Sequence, residues 1–224
     1  MTHSFQQHRN LAPRYIAVEG PIRAGKSTLA ALLAQHLGAQ CIADPEGNPF
    51  LPRFYRGEED TAFATQMWFL MARHKQLSTL APPQEPALLI ADYIFPKDKI
   101  FASLNLSDTE LAIYNRHYQQ FSRHVAMPDL VIYLQTSPRT LKTRLRRKGA
   151  PDEREISDSY LEQVSRAYDH FFFHYTASDL LVVNTDDIDF VKNNHDRQLL
   201  FRRLSQPVRG TQYFLPLGMR AKSA

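Results

Sequence analysis

A glycine-rich stretch near the start of the chain has the residue types and the spacing of a phosphate-binding loop. It reads Gly-Pro-Ile-Arg-Ala-Gly-Lys-Ser over residues 20–27 and fits the pattern G-x-x-x-x-G-K-[ST]. In such a loop the glycines let several backbone N–H groups face one phosphate chain, while the lysine reaches the outer phosphates and the hydroxyl holds Mg²⁺. The stretch therefore predicts a nucleotide-binding site with Lys26 on the phosphates and Ser27 on the metal. The residues expected to contact phosphate are Gly20, Ile22, Arg23, Ala24, Gly25, Lys26, Ser27 and Thr28.

The segments on either side of this loop have the patterns that the chemistry needs. Residues 15–18 are apolar and include β-branched side chains, which indicates a buried strand. Residues 27–37 are rich in Ala and Leu and precede Gly38, which indicates a helix that ends at this glycine. A helix that begins at the loop adds the positive end of its dipole to the phosphate site.

Two carboxylates and a run of basic residues come directly after other predicted elements. Asp44 follows a short predicted strand, and Asp92 ends the next one. The carboxyl ends of parallel strands lie at one edge of a sheet, where open α/β sheets bind their ligands. We expect Asp44 to accept the proton of an acceptor hydroxyl, Asp92 to lie at Mg²⁺, and Arg144 and Lys148 to contact phosphate. Together these groups are typical of a small-molecule phosphoryl transferase.

The pattern of the whole chain predicts one α/β domain over residues 14–206. Alternating strands and helices favour a five-stranded parallel sheet with helices on both faces, the three-layer sandwich of P-loop NTPases. We expect flexible tails at 1–13 and 207–224. The predicted strands are 15–18, 40–43, 87–92, 129–134 and 180–183, and the predicted helices are 27–37, 58–80, 111–125, 137–148 and 156–173.

Composition excludes several classes of protein. Lys and Arg number 27 against 23 Asp and Glu, and this small excess does not indicate nucleic-acid binding. The single cysteine, Cys41, excludes an internal disulfide framework and a Cys₄ metal site. No apolar run reaches the length of a membrane span, and the first residues do not read as a signal peptide. We therefore expect a cytoplasmic protein that binds neither nucleic acid nor a membrane.

Three motifs make the sequence similar to a known family. Residues 15–21 read Tyr-Ile-Ala-Val-Glu-Gly-Pro, Asp44-Pro45 follows the second predicted strand, and residues 92–102 fit [DE]-R-S-x-x-x-D-x-x-F-A except at the R-S pair. Over residues 14–185 the sequence resembles the deoxynucleoside kinases, especially the bacterial deoxyadenosine and deoxyguanosine kinases. The resemblance implies ATP-dependent phosphorylation of the 5′-hydroxyl of a deoxynucleoside, Mg²⁺ as a cofactor, and a homodimer.

The resemblance also assigns roles to individual residues. Asp44 falls on the family's general base, and Tyr55 and Glu153 fall on groups that bond the sugar 3′-hydroxyl. The family's basic lid matches residues 144–149, so the resemblance implies a short basic lid at about 144–156. An arginine–aspartate pair beyond the base is typical of the purine and deoxycytidine enzymes. The resemblance therefore implies a preference for deoxyadenosine or deoxyguanosine, with deoxycytidine next and thymidine poor. The residues that it places at the base of the substrate are Gln66, Arg73 and Asp98.

Two departures from the family's pattern leave roles open. The family's base is a glutamate, whereas Asp44 is one methylene shorter, and Glu46 is close enough in sequence to be the base instead. The family's arginine after the first acid of the long motif is replaced by Tyr93, so a catalytic cation is missing there. The side chains that could compensate include Lys97, Arg53 and Arg23.

Two other functions fit the same phosphate loop. A nucleoside monophosphate kinase of the thymidylate kinase kind shares the loop and the lid, but it needs an arginine for the phosphate of its second substrate. A nucleotide-dependent switch would bind ATP or GTP without a nucleoside pocket. The dependence of ATP consumption on a nucleoside or on its monophosphate separates these alternatives.

Overall fold

The computed structural model describes residues 14–80, 88–148 and 152–215, without the side chains of Lys148, Asp152 and Arg154. The expected N-terminal tail and residues 149–151 of the expected lid lie outside the described residues. Within the described ranges, no helix combines the length and the apolar character that crossing a membrane requires.

Six parallel strands form a single sheet. They are β1 (Tyr15–Glu19), β2 (Gln40–Ile42), β3 (Leu89–Ala91), β4 (Leu130–Gln135), β5 (Asp179–Asn184) and β6 (Thr211–Phe214). Their order across the sheet is β2-β3-β1-β4-β5-β6, and every neighbouring pair is parallel. The predicted parallel α/β architecture is confirmed, and the five predicted strands are present.

The predicted number of strands is wrong by one. The sixth strand, β6, lies in the segment 207–224 that we expected to be a C-terminal tail, and it pairs with β5 through Leu180 and Thr211. This strand is on the edge of the sheet, and its side chains alternate between exposed and half-buried positions. It therefore lacks the continuous apolar run that marks the interior strands of a parallel sheet.

Eight helices cover the two faces of the sheet in the described part of the chain. Five of them confirm predicted helices, while α2 (Leu51–Tyr55), α4 (Lys97–Asn105) and α8 (Asn194–Leu204) were not predicted. The first two of these are short, and α8 is announced only by Asn193, whose side chain accepts hydrogen bonds from two backbone N–H groups of its first turn. The helices are α1 (Lys26–Leu37), α2 (Leu51–Tyr55), α3 (Thr61–Ser78), α4 (Lys97–Asn105), α5 (Asp108–Phe121), α6 (Pro138–Lys148), α7 (Asp158–Phe173) and α8 (Asn194–Leu204).

Buried side chains pack on both faces of the sheet and alternate along each interior strand. In β1, Tyr15 and Ala17 pack into the core under α3, α4, α5 and α7, whereas Ile16 and Val18 pack into the core under α1 and α8. Because β1 and β4 are buried on both faces, their backbones are fixed by packing from two sides. The sheet therefore holds the segments that leave its carboxyl edge in defined positions.

Candidate active site

A cleft of about 820 Å³ lies at the carboxyl edge of the sheet. It is bordered by the phosphate loop, the segments after β2 and β3, parts of α3 and α6, and the loop 186–192. Gly20 and Asp98 do not line it, and the side chain of Lys148 lies outside the described residues. The predicted site residues that line the cleft are Ile22, Arg23, Ala24, Gly25, Lys26, Ser27, Thr28, Asp44, Tyr55, Gln66, Arg73, Asp92, Arg144 and Glu153.

Close packing around the phosphate loop requires glycine at two positions. A Cβ atom on Gly20 would lie 2.8 Å from the carbonyl oxygen of Leu134. A Cβ atom on Gly25 would lie 2.9 Å from Cζ of Phe190, and the φ of +107° at Gly25 is one that side chains disfavour. The loop therefore packs closely against Leu134 and Phe190 at these two glycines, while residues 22–28 line the cleft.

Glu19 anchors the start of the loop to two neighbouring elements. Its carboxylate accepts hydrogen bonds from the N–H of Gly20 at 2.9 Å, the N–H of Ile94 at 3.0 Å and the hydroxyl of Tyr168 at 3.2 Å. The side chain is fully buried, so these bonds replace its hydration. Glu19 was not among the predicted site residues, although a carboxylate directly after a buried strand and before a loop glycine was a usable signal.

The N-terminus of α1 presents a site for phosphate. Gly25 to Thr28 line the cleft, and this helix end has neither a side-chain cap nor an acidic residue in its first turn. The Lys26 ammonium donates a hydrogen bond to the carbonyl of Pro21 at 3.0 Å. Burial, with a smaller contribution from Lys97, lowers the pKa of Lys26 to about 8. Phosphate oxygens would supply the negative charge that this desolvated ammonium favours.

The Asp44 carboxylate is held between two cations. Arg73 donates to it from Nε at 2.8 Å and from Nη2 at 3.1 Å, and the Nζ of Lys97 donates to its Oδ2 at 2.6 Å. The two cationic side chains are 4% and 5% exposed, whereas that of Asp44 is 25% exposed. Although burial raises the pKa of Asp44, Arg73 and then Lys97 hold it well below its ordinary value. Asp44 is therefore an ionised carboxylate with one side open to the cleft.

The structure distinguishes two of the three cations that could replace the missing arginine. Lys97 reaches the site, and its Nζ lies 6.0 Å from the ring centroid of Tyr93, whose hydroxyl donates to the side chain of Gln76 at 2.5 Å. Arg53 does not reach it, because its 55% exposed side chain pairs with Glu58 at 2.6 Å. Arg53 is therefore excluded as a replacement, while Lys97 adds a cation directly beside Asp44.

Asp92 and Ser27 fit the requirements of a magnesium site shared with phosphates. Asp92 is 3% exposed and lines the cleft, where its Oδ1 accepts the backbone N–H of Asp44 at 2.5 Å. Ser27 lines the same cleft with an exposed side chain. Mg²⁺ usually binds one or two carboxylates while substrate phosphates and waters supply the rest. The described residues contain no cluster of three or more His, Cys, Asp or Glu that would suggest an all-protein metal site.

Asp98 lies behind the cleft wall and acts on the cleft through other side chains. Its fully buried carboxylate accepts from Nη1 of Arg73 at 2.6 Å, from the hydroxyl of Tyr114 at 3.3 Å and from the Gln66 amide. Burial raises the pKa of Asp98, and Arg73 opposes that rise. The expected Arg73–Asp98 pair is thus present, but direct contact between Asp98 and a substrate is not supported, because Asp98 does not line the cleft.

Arg144 braces the phosphate loop. It donates to the carbonyl of Ala24 at 3.0 Å and to the carbonyl of Thr185 at 2.8 Å, and burial lowers its pKa. Arg147, which we did not single out, lines the cleft from the next turn of α6 with an exposed side chain. Its position three residues after Arg144 is the signal that could have identified it, because residues at this spacing share one face of a helix.

Glu153 forms an ion pair with Arg23 of the phosphate loop. It lies in a short 3₁₀ turn, Asp152–Glu155, and its Oε2 accepts from Nε of Arg23 at 2.7 Å and from the Nη2 of the same guanidinium. Burial raises the pKa of Tyr55, which lies at the end of α2. The charge of Glu153 raises this pKa further and that of Arg23 lowers it, so both charges act on the Tyr55 hydroxyl. The three side chains therefore meet on one wall of the cleft.

Comparison with known proteins identifies similar sequences along nearly the whole chain. The family model for deoxynucleoside kinases matches residues 16–209. A deoxyguanosine kinase of Bacillus subtilis (strain 168) is 36% identical over 207 residues, which cover 89% of this chain and 98% of that protein. A deoxyadenosine kinase of Lactobacillus acidophilus is 27% identical over 209 residues, covering 87% of this chain and 96% of that protein.

Solved structures with the same fold carry bound nucleotides. A deoxyadenosine kinase from M. mycoides with bound dATP superposes with a TM-score of 0.73 at 26% identity and covers 86% of this chain and all of that one. The same enzyme with the products dCMP and dCDP gives a TM-score of 0.71 at 27% identity over 85% of this chain and 98% of that one.

Proposed function

This chain belongs to the deoxynucleoside kinase family, and from that premise we propose that it transfers the γ-phosphate of ATP to the 5′-hydroxyl of a deoxynucleoside. The products are ADP and the deoxynucleoside 5′-monophosphate, and the role is nucleotide salvage. The observation that carries the proposal is the ionised Asp44 carboxylate, open to the same cleft as the phosphate loop. An acceptor hydroxyl needs such a group near the donor phosphates, whereas a nucleotide switch needs none.

On the donor side, the loop and the start of α1 bind the phosphates of ATP. Backbone N–H groups at the helix N-terminus and the ammonium of Lys26 neutralise the outer phosphates. The Ser27 hydroxyl and the Asp92 carboxylate would hold Mg²⁺, which supplies further neutralisation of phosphate charge. Arg144 keeps the loop in place through the Ala24 carbonyl.

On the acceptor side, Asp44 orients the 5′-hydroxyl and takes its proton. The 5′-oxygen forms a bond to the γ-phosphorus as the bond from that phosphorus to the β–γ bridging oxygen breaks, and ADP leaves. In a loose transition state this proton departs late, so orientation matters more than basicity. Arg73 and Lys97 suit that role, because they fix the carboxylate and keep it ionised.

Two details favour this reading over a monophosphate kinase and over Glu46 as the base. Arg73 and Lys97 are both committed to Asp44, so neither is available for the phosphate of a second substrate. Glu46 lines the cleft but is exposed, whereas Asp44 is fixed by two ion pairs.

Analysis of the products tests the proposed function. We expect one ADP and one 5′-monophosphate per turnover with a deoxynucleoside, whereas a monophosphate kinase would yield a diphosphate and only from a monophosphate.

The base end of the cleft favours bases that carry an amino group. The Nε2 of Gln66 donates to the backbone carbonyl of Asp98 at 3.0 Å and to its carboxylate, which leaves the Gln66 carbonyl oxygen to accept from the base. Adenine, guanine and cytosine offer an exocyclic amino donor, whereas thymine offers only its ring N3–H, which lies between two carbonyls that the engaged Nε2 of Gln66 does not bond. We therefore propose that deoxyadenosine or deoxyguanosine is preferred, then deoxycytidine, with thymidine poor.

The substitution Asp98→Asn tests this account of base choice. Asparagine removes the charge that strengthens the bond to the Gln66 amide and leaves the bond to the backbone carbonyl, so the amide is held less strongly and can turn to donate to a carbonyl of thymine. We expect the disadvantage of thymidine in kcat/KM to shrink by about tenfold, the size of one lost base contact. Tyr114→Phe is the matched control, because it removes one hydrogen bond to Asp98 and leaves Gln66 fixed. An unchanged ranking of the four deoxynucleosides in Asp98→Asn would contradict the account.

The substitution Tyr55→Phe tests the sugar contact. If the Tyr55 hydroxyl bonds the 3′-hydroxyl, its loss raises KM for the natural deoxynucleoside by about five- to tenfold, since one hydrogen bond contributes about 1 kcal/mol. A 3′-deoxy analogue should lose much less. Tyr160→Phe is a suitable control, because Tyr160 also lines the cleft but its hydroxyl accepts from Asn105 at 3.0 Å. Equal losses of Tyr55→Phe on both substrates would remove the sugar role.

The assembly state is part of the same proposal. We propose a homodimer that works in the cytoplasm, as the resemblance implies. Met71 on α3 and Ile113 on α5 are apolar side chains that are 57% and 44% exposed, on two helices that contact each other, and we propose them as part of the dimer contact. Light scattering of the purified protein should give twice the mass of one chain.

A further inference from the structure

The phosphate loop of this chain contains an arginine in a conformation that favours glycine. Arg23 has a φ of +63° and is one of two residues other than glycine with positive φ in the described ranges, the other being Asp60 at +58°. A left-handed conformation is unfavourable for a residue with a long side chain. Such conformations concentrate at functional sites, where the rest of the structure imposes them.

The side chain of Arg23 links the phosphate loop to the 3₁₀ turn that carries Glu153, and both residues line the cleft. The backbone of Arg23 belongs to the loop that binds the donor phosphates, and its guanidinium lies at Glu153, beside Tyr55 on the wall proposed for the sugar. The transferring phosphoryl group must pass between these two sides. The guanidinium of Arg23 is therefore carried by the phosphate loop and pairs with a residue on the wall proposed for the sugar.

Three other cations that line the cleft are held by partners that the proposed mechanism needs in place. Arg73 and Lys97 bond Asp44, and Arg144 bonds backbone carbonyls. Arg147 borders the cleft with an exposed side chain, where water weakens its charge. The side chains of Arg23 and Glu153 are 31% and 22% exposed, so the charge of Arg23 acts through a partly desolvated medium.

We propose that Arg23 is a catalytic residue that stabilises the transferring phosphoryl group, and that Glu153 is the positioning residue that holds it ready. The inference rests on the proposed function and explains how the chain works without the arginine replaced by Tyr93. When ATP and the acceptor are bound, the guanidinium donates hydrogen bonds to the phosphoryl oxygens, which gain charge in the transition state. Arg23 forms and breaks no covalent bond, so the bond changes of the transfer remain those given above.

The substitution Arg23→Gly gives opposite results for a catalytic and a structural role. Glycine relieves the positive φ, which offsets the loss of the partly exposed ion pair with Glu153, so the variant should unfold at about the same temperature as the wild type. Loss of one donor to the transition state should lower kcat by about 10²-fold. The affinity for ADP should stay within about threefold, because the loop backbone is intact. Arg23→Lys should recover part of kcat, since it restores the charge without the fork of donors.

Asp60→Gly provides the matched control. Asp60 lies at the exposed start of α3 and also has positive φ, so glycine should raise the unfolding temperature there with kcat unchanged. A kcat of Arg23→Gly within about threefold of wild type would overturn the proposal. So would a loss of kcat that accompanies a lower unfolding temperature, because that result assigns Arg23 a structural role. If the wild-type protein forms no ADP in response to a deoxynucleoside, the proposed kinase function itself is contradicted.

The substitution Glu153→Gln tests the positioning role separately. Glutamine keeps the size of the side chain and removes the charge that holds the guanidinium. If Glu153 acts through Arg23, kcat falls several-fold to the same extent with a deoxynucleoside and with its 3′-deoxy analogue, and it falls no further when combined with Arg23→Gly. A loss confined to substrates with a 3′-hydroxyl would overturn the positioning role.

Discussion

Replacing Asp44 by asparagine is expected to lower kcat by at least about 10²-fold, and by up to about 10⁴-fold, the range for a lost general base. Asparagine keeps the shape of the side chain but cannot take the proton of the 5′-hydroxyl. It also leaves Arg73 and Lys97, which are nearly buried, without the carboxylate that both contact. The measurement is kcat with saturating ATP and deoxynucleoside, together with thermal unfolding to show that the variant is folded.

The matched control for this prediction is Glu46→Gln. Glu46 lines the same cleft but is exposed at its rim, so its loss should change kcat by only a few-fold. If Glu46→Gln is the more damaging substitution, the proton acceptor is Glu46 and the role given to Asp44 is wrong.

Replacing Lys26 by alanine is expected to lower kcat by about 10³-fold or more while the protein remains folded. The ammonium is the loop cation closest to the donor phosphates by its place in the motif, and preorganised donors of this kind contribute about 10²–10³-fold each. Its hydrogen bond in the structure is to the Pro21 carbonyl, and its charge is desolvated. Removing it should therefore not lower the unfolding temperature. Lys99→Ala is the control, since Lys99 is exposed and rests over the ring of Tyr118.

The lowered pKa of Lys26 allows the role of this residue to be tested a second time, through the pH dependence of kcat/KM for ATP. Burial lowers this pKa to about 8 in the free protein, so the ammonium loses its proton as the pH rises through that value. Its attraction for phosphate is then lost, and kcat/KM for ATP should fall above pH 8. At saturating ATP the bound phosphates restore the proton, so kcat should fall only at higher pH. Near wild-type kcat in a folded Lys26→Ala variant would refute the assignment.

The parts of this site that the sequence predicted are those controlled by local patterns. The phosphate loop, the helix after it and the carboxylates after two strands follow from residue types within short windows. The sheet could be predicted because its interior strands are buried on both faces and read as apolar runs. The edge strand β6 escaped prediction, since it is half exposed and has no such run.

The contacts that decide the roles of the site residues are long-range. Asp44 and Arg73 are 29 residues apart, and Asp44 and Lys97 are 53 apart. No short window brings these side chains together, so the sequence could name Lys97, Arg53 and Arg23 as replacements but could not choose among them. The position of Asp98 behind the cleft wall could not be predicted either, because it depends on the packing of α3, α4 and α5.

The most direct test of the proposed function is a substrate panel with Mg-ATP. It measures kcat/KM for the four deoxynucleosides, the corresponding ribonucleosides and the monophosphates of both. We predict the highest values for deoxyadenosine or deoxyguanosine, a lower value for deoxycytidine, a poor one for thymidine and no turnover with monophosphates. ADP formation that requires a monophosphate, or that no nucleoside stimulates, would contradict the account.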